Sequence, residues 1–137
     1  MLPRIDFRLL GWDELKQFLF TESCKNNKDI DQDVRVMSYL LYTQQTTEGL
    51  YLNDTLVGFA RWQMKNGHLS NLYIMPEARG HGIARKYLME RPFRSLYVIP
   101  HNDPAKRLYA ACGFVKALCS VPTREFMVRR DQAAQAA

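Results

Sequence analysis

Three cysteines in 137 residues are few, and they are an odd number. Cys24, Cys112 and Cys119 form no CxxC pair. This excludes a disulfide framework and a zinc ribbon, so no metal is expected. It also points to a reducing compartment, with the cytoplasm as the expected location. Long apolar runs are missing too. The most apolar stretches are as short as SLYVI (95–99), well below the roughly 20 residues that span a bilayer. The first ten residues, MLPRIDFRLL, mix both charges into their apolar pattern, which is not how a signal peptide is built. There is no internal repeat and no linker rich in Gly, Ser or Pro. One domain over residues 1–130 is expected, with DQAAQAA (131–137) as a disordered tail.

Charge is present but uneven. Residues 1–60 hold six Lys/Arg and nine Asp/Glu, a balance of −3, and residues 61–137 hold thirteen and five, a balance of +8. A basic half suits a phosphorylated ligand, a nucleic acid or an acidic protein face, or is simply a solvated basic surface.

The apolar periodicity predicts strands at 4–10, 50–64 (a hairpin turning at Asn53-Asp54), 68–75, 95–99, 114–120 and 124–130. It predicts helices at 12–20, 31–44, 83–90 and 104–112. The near-continuous apolar run at 95–99 implies burial on both faces. Asp103 is expected to cap the last helix, with Pro104 at its first position and Gly113 as its stop. The order is β-α-α-β-β-β-α-β-α-β-β. That is an α/β (α+β) chain with a mixed, mostly antiparallel sheet and helices on both faces.

The tight turn in YIMPEARGHGIARKYL (73–88) sits between a strand and a helix. A dinucleotide fingerprint needs G-x-G-x-x-G/A. Gly80 and Gly82 fit it, but Arg85 stands at the third position. A P-loop needs Gly-Lys-Ser/Thr, which occurs nowhere. What remains is a strand, a proline, and R-x-x-G-x-A at Arg79–Ala84. Glycines let successive backbone N–H groups face an anion, the helix start adds its partial positive charge, and an arginine adds charge-assisted bonds.

This pattern resembles the coenzyme-A signature of the GCN5-related N-acetyltransferase (GNAT) family. Residues 102–114, NDPAKRLYAACGF, resemble a second family segment at Asn102, Ala105, Leu108, Tyr109, Gly113 and Phe114. The element order over almost the whole chain is similar to the family fold. The resemblance implies a splayed parallel strand pair, 68–75 and 95–99, with the cofactor in the gap. It implies acetyl-CoA as co-substrate and direct transfer of acetyl to a primary amine of a protein or small molecule.

By the same resemblance, the backbone of Leu72, Tyr73 and Ile74 would pair with the pantetheine arm. Arg79, Gly80, His81, Gly82, Ile83 and Ala84 would hold the pyrophosphate, and Asn102 would contact the arm. Tyr109 matches the family's catalytic tyrosine, able to protonate the departing thiolate. Many relatives carry a glutamate where this chain has Ser70, so the general base is open between His68, Glu48 and no side chain at all. Cys112 reads as a small buried thiol, His101 as a strand end, and Trp12 and Trp62 as packing residues. The return over Pro92–Arg94 is abrupt for the family, so how it packs is open.

The expected partners are acetyl-CoA and an amine acceptor, with no membrane. Nucleic acid and a second copy of the chain, as a homodimer, are left open. The acidic balance of residues 1–60 favours a cationic acceptor. Two other functions stay in view: a non-catalytic acyl-CoA-binding regulatory module, and acetylation of aminoacyl-tRNA, which some family members perform.

Overall fold

A computed structural model describes residues 3–25, 39–118 and 124–130. Its elements are β1 (Ile5–Leu9), α1 (Trp12–Ser23), α2 (Tyr39–Gln44), β2 (Thr46–Leu52), β3 (Thr55–Gln63) and β4 (His68–Ile74). A 3-10 turn at Pro76–Ala78 leads to α3 (Ile83–Glu90), β5 (Ser95–Val98), α4 (Asp103–Ala111), β6 (Phe114–Ala117) and β7 (Glu125–Arg129). Among the described residues, the strands form one sheet in the order β1-β2-β3-β4-β5-β7-β6. Every pairing is antiparallel except β4 with β5.

The expected hairpin turns at Asn53-Asp54, where both residues adopt positive φ, 50° and 68°. Two such residues make the tight turn whose twist matches the flanking strands, and Asn and Asp tolerate it best after glycine. Of the helix expected at 31–44, Tyr39–Gln44 is observed and 31–38 lies outside the described residues. Residues 119–123, with Cys119, and the tail 131–137 also lie outside them.

Two apolar clusters cover opposite sheet faces. Leu15, Phe18 and Leu19 of α1 pack on Phe59 and Tyr73. Ile83, Tyr87 and Leu88 of α3 pack with Ala60, Trp62, Leu69, Leu96 and Met127. Leu15, Leu50, Phe59, Leu88 and Phe93 are fully buried, and each such side chain contributes about 2 kcal/mol through burial. The abrupt return after α3 has a specific anchor. The Arg129 guanidinium donates to the carbonyls of Leu88, Arg91 and Phe93. It thereby satisfies carbonyls that a helix end leaves open, and Phe93 plugs the core beneath.

Two local expectations are corrected. β5 is not buried on both faces: Leu96 and Val98 point into the core, but Tyr97 is 41% exposed. Asn102, not Asp103, caps α4, its Oδ1 accepting the Ala105 N–H at 3.3 Å. Asp103 and Pro104 each fall one position further into the helix, where a carboxylate still favours the positive end.

Candidate active site

β4 and β5 run parallel but meet at only two register pairs, His68 with Ser95 and Leu69 with Leu96. The cause lies on the other side of β4. Along β3, Arg61 faces Asn71 while Trp62 faces Leu69, so Ser70 is one residue too many. Such a bulge bends and twists its strand. Beyond it, Leu72, Tyr73 and Ile74 stay bonded to β3 but have no register partner on β5. The split opens a cleft of about 680 Å³, inside the range of roughly 300–1,000 Å³ found for small-ligand sites.

Nearly all the expected site residues line this cleft. Leu72, Tyr73 and Ile74 form the β4 wall, with Asn102 and Tyr109 opposite on the α4 side. Arg79, Gly80, Gly82, Ile83 and Ala84 form its end. His81 is the exception: its ring turns back, with Nδ1 3.0 Å from the Ala78 carbonyl oxygen, and does not line the cleft.

Gly80 and Gly82 have φ of +87° and +74°. A Cβ at either position would meet nothing within 4 Å. Backbone conformation, not crowding, is therefore what calls for glycine. Gly82 is the N-cap of α3 and no side chain caps the helix. The first helical bond runs from Lys86 N–H to Gly82 O. The amides of Ile83, Ala84 and Arg85 thus have no acceptor within the helix, and these residues line the cleft. An anion with several oxygens fits this place. Arg79 braces it by donating from Nε to the Ile74 carbonyl at 2.9 Å. Four arginines, Arg61, Arg79, Arg85 and Arg124, line the cleft, and no carboxylate does among the described residues.

Residues 12–114 match the sequence model of the acetyltransferase (GNAT) family. This chain belongs to the GNAT family. It is an acetyltransferase, and acetyl-CoA is the family's co-substrate. Solved structures agree on the fold. An acetyltransferase from Thermus thermophilus aligns with TM-score 0.65 at 22% identity, covering 91% of this chain and 96% of that one. The PaiA N-acetyltransferase of Thermoplasma acidophilum, in complex with coenzyme A, aligns with TM-score 0.64 at 18% identity over 92% and 98%. A chimera of the Vibrio cholerae spermidine N-acetyltransferase SpeG and hSSAT aligns with TM-score 0.66 at 15% identity over 95% and 98%. No curated protein matches the sequence.

The remaining candidates of this GNAT chain separate cleanly. Glu48 is not at the cleft. It is buried on β2, where its carboxylate accepts from Tyr87 Oη at 2.7 Å, Trp62 Nε1 at 3.1 Å and Arg91 at 2.6 Å and 3.0 Å. Burial pushes its pKa up, but Arg91, Tyr87 and Trp62 outweigh that and hold it below the ordinary value. Burial and this carboxylate together push the Tyr87 hydroxyl up. Glu48 is thus a structural ion pair, not a base. His68 stands where β4 and β5 are still paired, its Nδ1 2.8 Å from Ser95 Oγ. Burial lowers its pKa, which favours the neutral imidazole. Cys112 is buried, which raises its thiol pKa and keeps it inert. Trp12 packs on Tyr42.

Sequence reasoning missed Arg61, Arg85, Arg124 and Tyr97 as cleft residues. It also missed Glu22, a fully buried carboxylate on α1 that accepts from Tyr73 Oη at 2.8 Å and pairs with Lys25 at 2.6 Å. Glu22 had one readable signal, its place four residues beyond Phe18 on the apolar face of α1. Arg61 had none, because its neighbourhood depends on the bulge. Of the acids in residues 1–60, Asp6, Asp13, Glu22, Glu48 and Asp54 carry ion pairs, and Asp29, Asp31 and Asp33 lie outside the described residues. Among the described residues no group of three or more potential ligands could hold a metal ion, and no helix is long and apolar enough to cross a membrane.

Proposed function

We propose that the chain is an N-acetyltransferase that moves acetyl directly from acetyl-CoA to a primary amine in the β4–β5 cleft. One observation carries this reading. The two parallel strands part after two register pairs, and the gap ends at two left-handed glycines and an uncapped helix start. Acetyl-CoA supplies an activated thioester and a thiol leaving group. The amides of Ile83 and Ala84, with Arg79, hold its pyrophosphate. The β5-facing edge of Leu72–Ile74 pairs with its arm as a neighbouring strand would. A β4 amide near Ile74 donates to the carbonyl oxygen as charge builds there. Asn102 spends Oδ1 on its helix cap, which leaves its Nδ2 for the arm.

Tyr109 projects into the cleft from α4, half-buried and edge-on to Phe114. Its hydroxyl protonates the departing thiolate. His68, neutral and at the closed end of the split, takes the proton from the amine directly or through water. No covalent enzyme intermediate is needed, and Cys112 is too buried to form one. The test couples calorimetry with acetyl-CoA to thiol release in the presence of small primary amines. Binding with amine-dependent thiol release supports transfer. Binding with no release for any amine would leave only an acyl-CoA-binding module.

A further inference from the structure

We infer that the amine acceptor carries a flat aromatic group, which stacks on a platform formed by His68, Tyr97 and Phe126. This rests on the reading of the cleft as an acetyltransferase site. An arm anchored at the glycine turn and laid back along β4 ends where β4 and β5 rejoin. Ser70 and Tyr97 stand at that closed end, and both also line a second pocket of about 460 Å³. The acceptor amine must come within bonding distance of the arm's end, so this second pocket is where the rest of the acceptor lies.

The pocket has a distinct chemistry. The His68 and Tyr97 ring centroids lie 4.8 Å apart, Tyr97 and Phe126 5.4 Å, and His68 and Phe126 6.3 Å. Rings this close touch one another, so they form a filled platform rather than an open cage around a cation. Tyr97 is nevertheless 41% exposed, with ring surface left for a ligand. The rim is Gln63, Asn66 and Ser95, polar and uncharged. Neither pocket has a carboxylate among its described lining residues, and Arg61 and Arg124 line the adjoining cleft. Among these described lining residues a polyamine would meet no carboxylate. A flat neutral group would meet π-faces and hydrogen-bonding amides. The platform thus favours a different acceptor from the cationic one that the charge balance favours.

The test measures acetyl-CoA-dependent thiol release with tyramine, butylamine and spermidine. Tyramine should exceed butylamine in kcat/KM by about tenfold, as one aromatic contact allows, and spermidine should not exceed butylamine. Phe126→Leu and Tyr97→Leu should each bring the tyramine-to-butylamine ratio toward one, while Tyr97→Phe should keep it. A preference for spermidine, or a ratio unmoved by both leucine variants, would overturn the platform. A ratio near one in the unaltered protein would overturn it while leaving acetyl transfer intact. Release with none of the three amines would overturn it as well, and normal acetyl-CoA affinity would then show that the cofactor cleft itself still stands.

Discussion

Glu48 and the start of α3 are both polar places beside an apolar core, and they spend their hydrogen bonds in opposite ways. Around Glu48, Tyr87, Trp62 and Arg91 fill the carboxylate from within the fold. At α3 no side chain caps the helix, and its amides face a cleft. A polar group whose partners are all internal holds structure; one whose partners are missing awaits a ligand. The same contrast runs along β4, paired on both sides at Leu69 and on one side only at Leu72.

The largest effect is expected where the open site is filled. Gly82→Val forces a β-branched residue toward φ of +74° and covers the helix amides. Lost backbone comfort and lost charge-assisted bonds together predict an acetyl-CoA affinity at least about 10³-fold weaker by calorimetry. Near-normal affinity would dissolve the contrast.

Glu48→Ala comes next and should act only on the closed site. It leaves Arg91 facing a buried void, at a cost of about 3 kcal/mol in urea unfolding. Acetyl-CoA affinity of the folded protein should not change, and an altered affinity would tie the two regions together. The pH dependence has a definite sign. The folded pKa of Glu48 lies below its ordinary 4.5, so its stabilisation is full above that value and fades as pH falls through the folded one. Glu48→Gln should flatten that acid limb.

Tyr109→Phe sharpens the open site. It should lower kcat by about 10²-fold and leave acetyl-CoA binding alone. An unchanged kcat would remove Tyr109 from its role. The smallest effect is expected at His68→Gln, about tenfold in kcat/KM, because solvent can take the proton instead. In the unaltered protein, activity should rise with pH through an apparent pKa below 6.5, the ordinary histidine value, and level off above it. The variant should lose that limb.

Much of the fold and the cleft is legible in the residues alone, and the reason is local. An Asn-Asp hairpin, a helix starting at a glycine turn and a stop at Gly113 are backbone preferences of the residues themselves, and all three appear. The cap falls one residue earlier than expected because Asn102 and Asp103 are both good caps, and only the helix start decides between them. The exposure of Tyr97 was not legible, because apolar runs do not say which face the rest of the chain covers.

By itself, the sequence determined the family, the glycine turn and the helix carrying Tyr109, since each is a short pattern whose chemistry depends on its own residues. The tertiary structure alone decided that Ser70 is the surplus residue that parts β4 from β5. That follows from the register with Arg61 and Trp62, which no spacing along β4 reveals. It also decided that Glu48 is structural, because its partners come from β3, α3 and the turn after α3. A carboxylate's role is set by what surrounds it, and residues this far apart in the chain become neighbours only when the fold closes.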